Sequence, residues 1–339
     1  MKAVVFYPKV GFKIEEIAKP EISATQVLLK VHSAGFCASD FGFYKGVFND
    51  EKFKPLIFGH EFAGEIVEVG NAVRGLSIGQ RVVATPAVSC GKCHYCLIGK
   101  NDRCENCKQV LGFTVNGGFA QYCAIEENGV IPIGDISYDI ASFIEPISCC
   151  WYATSRAKII PGETILIIGL GTIGLLELQV AKSIGAKVMV VGKYAKQMEI
   201  AKKLGADVIL SLPKNGIKEL KLPEVPDVIF AAIGKPEVIE YSINNVARGG
   251  KIVMFGFCED EENVKIYPMK LILNDLTLIG SQATPSFLFA RSIDMIRKGI
   301  INPEPMITHK FGMNEFMKAV DVYKNQKGES IKVIIHPNM

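Results

Sequence analysis

From about residue 160 the chain alternates short apolar runs with segments of helical period, and few folds accept that rhythm. The runs cover 165–168, 188–191, 208–210, 228–231, 252–255 and 276–279. Strands that are apolar throughout and separated by crossovers predict an α/β architecture, a doubly wound parallel sheet with helices on both faces. The first 145 residues read differently. Runs such as 27–31, 65–69 and 81–84 are broken by glycines and turns, the pattern of a mostly β domain. After Gly280 the alternation stops, leaving one helical stretch over 287–298, a proline-containing loop and a last strand over 332–335. A length of 339 residues accommodates two domains. The simplest arrangement inserts the α/β domain into a discontinuous β domain.

Composition removes several classes of function. Hydrophobic residues make up 49% of the chain, enough to bury substantial cores, and a net charge of +3 argues against nucleic acid as a partner. The most apolar long stretch, 164–181, carries glycines and Glu177, so it reads as strand, turn and helix rather than a membrane span. The apolar run after Met1 is too short for a secretory signal and ends at Pro8, which makes the cytoplasm the expected location. There, ten cysteines point to metal or catalytic thiols rather than disulfides.

Gly169-Leu170-Gly171-Thr172-Ile173-Gly174 follows the first apolar run and opens a helical segment. Glycines at this spacing are weak evidence alone, because they also serve plain turns. Between a strand and a helix they let the backbone approach a pyrophosphate, whose charge the helix N-terminus favours. The second domain is therefore expected to be a Rossmann nucleotide-binding domain. At the end of its second strand, where a carboxylate would take the ribose hydroxyl of NAD, the chain has Gly192-Lys193-Tyr194. Gly192 leaves room, Lys193 offers a cation to a 2′-phosphate and Tyr194 can flank the adenine. NADP is the favoured cofactor, NAD remaining possible; a lysine that merely faces water is the plain alternative.

Five of the ten cysteines fall between Cys90 and Cys107. Cys90, Cys93, Cys96 and Cys104 form C-x2-C-x2-C-x7-C, which can close a tetrahedron of thiolates around one Zn²⁺. With every position filled, that is a structural site. Lys92, Lys100 and Arg103 can offset its charge, and His94 and Cys107 are spare. An iron–sulfur centre is the alternative that thiols alone allow. Cys37, His60 and Glu145 could make a second, three-ligand site with an open position. Each also has a bland reading: a buried thiol, a core histidine, an element end. Spacing alone does not show that they converge.

Gly59-His60-Glu61-x2-Gly64-x5-Gly70-x2-Val73 resembles the zinc signature of the medium-chain alcohol dehydrogenases. Gly35-Phe36-Cys37-Ala38-Ser39-Asp40, the four-cysteine loop and the inserted nucleotide domain follow in that family's order. Glu145-Pro146-Ile147-Ser148 resembles the sorbitol or polyol branch. The resemblance runs end to end. It implies a GroES-like catalytic domain over residues 1–147 and 284–339 around a Rossmann domain over 148–283. It further implies hydride transfer between an alcohol or polyol and NAD(P)⁺, two zinc ions per chain and a homotetramer, with neither nucleic acid nor membrane as partner. Carried over, Cys37 and His60 are catalytic zinc ligands, Glu61 and Glu145 both stand as the acidic ligand, and Asp40 orients His60. Ser39 accepts the substrate proton, and Lys332 resembles the basic residue near the cofactor pyrophosphate. Phe43, Tyr44 and Phe113 are candidate pocket walls. Two departures stand out. A histidine that relays the proton in many relatives is Gly42 here, and the Arg-Tyr pair of sorbitol-type enzymes is absent from 280–285. Competing readings are a zinc-poor NADP(H) sensor without dehydrogenase activity, which tends to lose its ligands, and a zinc-ribbon nucleic-acid binder, which needs a basic face.

Overall fold

The computed structural model describes residues 1–40, 54–107, 109–258, 262–282 and 285–339. It divides into two compact units. One comprises Met1–Glu145, Pro285–Arg297 and Ile307–Met339, the other Pro146–Thr284 and Lys298–Met306. The short return 298–306 thus belongs with the second unit. Its tie is local: the Asn302 amide donates to Gln179 Oε1 at 2.7 Å.

In the second unit, six strands stand in the order Val208–Ser211, Lys187–Gly192, Thr164–Ile168, Val228–Ala231, Lys251–Met254, Thr277–Gly280. Every pairing is parallel. The central strands are buried along their length, which explains why they read as continuous apolar runs rather than alternating ones. The order reverses between Thr164–Ile168 and Val228–Ala231, the switch point where such sheets open a crevice for ligands. Helices Thr172–Ser183, Ala195–Lys203, Pro236–Asn245 and Pro268–Asn274 make crossovers, two of them opened by a proline that fixes the first helical turn.

The first unit holds a sheet in the order Val130–Pro132, Arg81–Ala84, Glu61–Val69, Gln26–Gly35, Lys332–His336, Ile307–Gly312, with Tyr122–Glu126 also paired to Gln26–Gly35. A three-stranded sheet, Gly11–Glu16, Lys2–Tyr7 and Leu56–Ile57, packs with it. Their shared core is strongly aromatic: Phe6, Phe12, Phe58, Phe36, Phe119 and Phe316 meet ring to ring. This GroES-like unit and the Rossmann unit are the fold the sequence implies.

Three elements exceed the expectation. The strand Ile307–Gly312 pairs in parallel with Lys332–His336. The helix Phe316–Asn325 buries Phe316, Ala319 and Val320, a helical spacing hidden behind the Pro-rich segment. The helix Ile144–Ala157 takes in Pro146, which its first turn tolerates because those amides have no partner within the helix. Among the described residues, no helix is long and apolar enough to cross a membrane.

Candidate functional site

Strands Gln26–Gly35 and Glu61–Val69 run antiparallel with Gly35 opposite Glu61. Cys37, two residues beyond the first, and His60, one before the second, therefore sit at the same end of the pair. Ligand atoms of Cys37, His60 and Glu61 all lie within 4.8 Å of one another. The Cys37 amide donates to Asp40 Oδ2 at 3.0 Å, and Asp40 Oδ1 is 3.6 Å from His60 Nδ1. One carboxylate thus braces two of the three candidate ligands. The Phe113 ring packs 5.0 Å from that of His60. Gly42, Phe43 and Tyr44 lie outside the described residues.

Glu61 is also the partner of Lys332, whose ammonium is ion-paired to Glu61 Oε2. Lys332 is 1% exposed, 3.4 Å from the Phe36 carbonyl and over the Phe143 ring. Gly35 makes this possible. A Cβ there would lie 2.6 Å from Lys332 Cε and 2.7 Å from Glu61 Oε2. The structure thus places Lys332 against the metal cluster, its charge spent on a carboxylate. Glu145, in the first turn of Ile144–Ala157, is buried but does not join the group. Of the two acidic candidates, Glu61 is the one brought together with Cys37 and His60.

The electrostatics fit a cation. Burial pushes the Cys37 thiol up, and Glu61 adds to it. Burial opposes charge on His60, yet Cys37 and Asp40 outweigh it and raise His60 well above its ordinary range. Burial and the anionic field of Cys37, Asp40 and Glu61 push the Tyr323 hydroxyl up as well. His60 Nδ1 and Ser39 Oγ are buried without a hydrogen-bond partner among the described residues. Thiolate, imidazole and carboxylate form a donor set that zinc accepts with a position left open. The residues fit the ion.

The four-cysteine loop is as compact. Cys90, Cys93, Cys96 and Cys104 place their sulfurs within 4.8 Å of one another. Cys93 Sγ is 3.5 Å from Cys96 Sγ and 3.9 Å from Cys104 Sγ. Four sulfurs on ~2.3 Å bonds to one zinc would be ~3.8 Å apart, whereas a disulfide needs ~2.05 Å. The amides of Lys92 and Cys93, partly opposed by burial, pull the Cys90 thiol down to about 6. The amide of Cys96 lowers Cys93 too, while burial pushes Cys104 up to about 12. Cys107 stands outside, its thiol donating to the Gln109 carbonyl at 3.3 Å. None of the ten cysteines, all of them described, is in a disulfide.

In the second unit, Gly169 adopts φ +107°, and a Cβ on Gly174 would lie 1.8 Å from the Gly169 carbonyl oxygen. Only glycine makes this turn. Gly171 caps helix Thr172–Ser183 with extended backbone and no side-chain bond, so the first-turn amides gain no partner from it. A Cβ on Gly171 would meet nothing within 4 Å. A helix N-terminus opening onto such space suits a pyrophosphate. Leu170 is buried, while Thr172 and Ile173 are half-buried. Lys193 is exposed, its ammonium 5.7 Å from the centre of the Tyr194 ring. Gly192 has a packing reason that spacing did not reveal: a Cβ there would lie 2.7 Å from both Leu170 Cδ1 and Met198 Cγ.

Comparison with known proteins agrees with this geometry. Residues 23–135 match the alcohol dehydrogenase GroES-like domain family, and residues 172–297 the zinc-binding dehydrogenase family. Sorbitol dehydrogenase of Bacillus subtilis is 32% identical over 100% of this chain and 98% of its own. Among solved structures, RspB of Escherichia coli CFT073, called a short chain alcohol dehydrogenase and complexed with NADH, aligns with a TM-score of 0.89 at 29% identity. A zinc-binding dehydrogenase target from Sinorhizobium meliloti 1021, bound to NADP, gives 0.90 at 29% identity. Each alignment covers 99% of both chains.

Proposed function

The chain belongs to the zinc-binding medium-chain dehydrogenases, related to the sorbitol and polyol enzymes, and from that premise we propose that it oxidises a small alcohol or polyol with NADP⁺ in preference to NAD⁺. The family activity, hydride transfer between an alcohol or polyol and a nicotinamide cofactor, is common ground. The observation that carries the reading is the convergence of Cys37, His60 and Glu61 within 4.8 Å, beside a buried Ser39 hydroxyl with no partner among the described residues. A non-catalytic sensor has no need of a ligand set this complete.

Cys37, His60 and Glu61 would hold one zinc, and Cys90, Cys93, Cys96 and Cys104 a second. When bound, the first supplies Lewis acidity to the substrate oxygen, and the nicotinamide takes or returns the hydride. The protein's own part is positional. Asp40 keeps Cys37 and His60 in place, and Ser39 Oγ accepts the hydroxyl proton as the carbinol is oxidised while its own proton passes on to water. The amides of the turn Gly169–Gly174, contributed by Leu170, Gly171, Thr172 and Ile173 among them, receive the pyrophosphate. Lys193, with no carboxylate beside it, receives the 2′-phosphate, and Tyr194 flanks the adenine.

The preference for NADP rests on Lys193, because one similar structure holds NADH and the other NADP. Replacing Lys193→Ala is expected to raise KM for NADPH about ten-fold, the cost of one charged hydrogen bond, with KM for NADH unchanged. Equal effects on both cofactors would contradict the preference. A panel of secondary alcohols, sugar alcohols and their phosphates, run with each cofactor, would identify the substrate; no turnover with any alcohol would overturn the dehydrogenase reading.

Ten cysteines without a disulfide support a reducing, cytoplasmic location. A homotetramer is supported by the edge strand Thr277–Gly280, next to which Tyr267, Met269, Ile272 and Leu273 are exposed. An open strand edge and apolar side chains of that size favour burial in an assembly. Sedimentation at low protein concentration would test it.

A further inference from the structure

Helix Thr172–Ser183, which the glycine turn opens, carries a carboxylic acid in its buried face. Glu177 is 1% exposed. Its Oε1 takes a hydrogen bond from Thr154 Oγ1, a residue 2% exposed on helix Ile144–Ala157. Its Oε2 is buried without a partner among the described residues. One helical turn before Thr154, the fully buried Cys150 thiol faces Glu177 and donates to the carbonyl of Ile173, within the glycine turn, at 3.6 Å. Burying a carboxyl here costs free energy that an apolar residue would not, so a role is required of it.

We propose that Glu177 is a positioning residue for the cofactor turn: with Thr154 and Cys150 it pins the helix that presents the pyrophosphate-binding amides onto helix Ile144–Ala157. This rests on the cofactor reading above. The link is short. Thr154 holds the carboxyl, the Cys150 thiol beside it donates to the Ile173 carbonyl, and Ile173 belongs to the turn itself. A shift of the helix by a few tenths of an ångström would displace every amide aimed at the pyrophosphate.

The protonation state sharpens the idea. Burial, partly opposed by the bonds from Thr154 and Cys150, pushes Glu177 up to about 8. The titratable group facing it is the Cys150 thiol. The helix also packs on strands Thr164–Ile168 and Lys187–Gly192 and on helix Ala195–Lys203. Their buried residues are apolar or, in Gln197 and Gly192, uncharged. At neutral pH the bridge is therefore built on a neutral acid. Because the folded pKa exceeds the unfolded one, Glu177's contribution to stability is complete below pH ~4.5 and falls as pH rises, levelling off above about 8. Above that pH the two helices hold a carboxylate with one oxygen unpaired.

The chain's single tryptophan, Trp151, follows Cys150 on the same helix and is the probe chosen for this contact. In the wild type, Trp151 emission should titrate with a midpoint near pH 8, and affinity for NADPH and NADH should fall across the same interval. Glu177→Gln, which keeps the bond from Thr154, should abolish the emission titration and bind cofactor within about two-fold of wild type at pH 7. Glu177→Leu should bind it about five-fold more weakly or worse, the loss of a buried hydrogen bond. A Leu variant that binds as tightly as wild type, or an emission titration that survives Glu177→Gln, overturns the proposal. If the Leu variant does not fold, the Gln variant decides alone. A wild type that binds neither cofactor fails the functional reading instead, a result separate from unchanged variants of a cofactor-binding wild type.

Discussion

The thiols of Cys90, Cys93, Cys96 and Cys104 come from one loop, whereas Cys37, His60 and Glu61 come from the ends of two paired strands. The loop has little core of its own. Its short helix His94–Leu97 buries no residue, and Leu97 and Ile98 are exposed. A metal bound there would hold the loop, and its binding energy would be folding energy. The strand cluster sits in a domain that an aromatic core already folds, and its ligands are braced by Asp40 and Lys332. Three ligands would leave a bound metal one position open, and the Ser39 hydroxyl, two residues from Cys37, has no partner among the described residues. Four equal ligands in sequence would make a staple, while three unequal ligands assembled by a sheet would make a reaction centre.

The comparison can be broken by variants, and the largest effect should come from the strand cluster. Cys37→Ser is expected to lower turnover at least about a thousand-fold, because one ligand is lost from a three-ligand site. Its circular dichroism and Tm should stay near wild type. Retained activity would show that the open site is not the reaction centre. Next in size is Glu61→Gln, which leaves the Lys332 ammonium buried and unpaired at a cost of about 3–5 kcal/mol. Adding Lys332→Met should recover most of the Tm but none of the lost zinc. Glu145→Gln should leave zinc content at two per chain; loss of zinc there would make Glu145 the acidic ligand after all. Smaller again in its effect on turnover is Cys104→Ser, expected to lose one zinc and on the order of 5–10 °C of Tm. Activity measured at low temperature should persist. If Cys104→Ser instead abolished activity with Tm intact, the roles of the two clusters would be reversed.

Legibility in the sequence follows the same division. Every ligand of the loop cluster could be read directly, because C-x2-C-x2-C-x7-C is local and its geometry follows from spacing. The central strands of the nucleotide unit were equally plain, since burial on both faces leaves continuous apolar runs. The strand cluster was legible only by resemblance. Nothing in the spacing of Cys37 and His60 states that Gly35 stands opposite Glu61, and that register decides which carboxylate joins them. Lys332 shows the limit well. Its likeness to a cofactor-side residue concerned the chain position, whereas its burial against Glu61 depends on the missing side chain of Gly35. Gly192 reads as room for a phosphate, yet its neighbours Leu170 and Met198 already require it. The helix Phe316–Asn325 is written in Phe316, Ala319, Val320 and Tyr323 at i, i+3, i+4 and i+7, a short pattern that the nearby prolines mask.

Metal analysis paired with turnover is the most direct test of two zinc sites with two different jobs. The purified wild type should carry two zinc per chain, and Cys37→Ser and Cys104→Ser one each. Activity should vanish with the Cys37 site alone. One zinc per wild-type chain, or activity that follows the Cys104 site, would contradict the account.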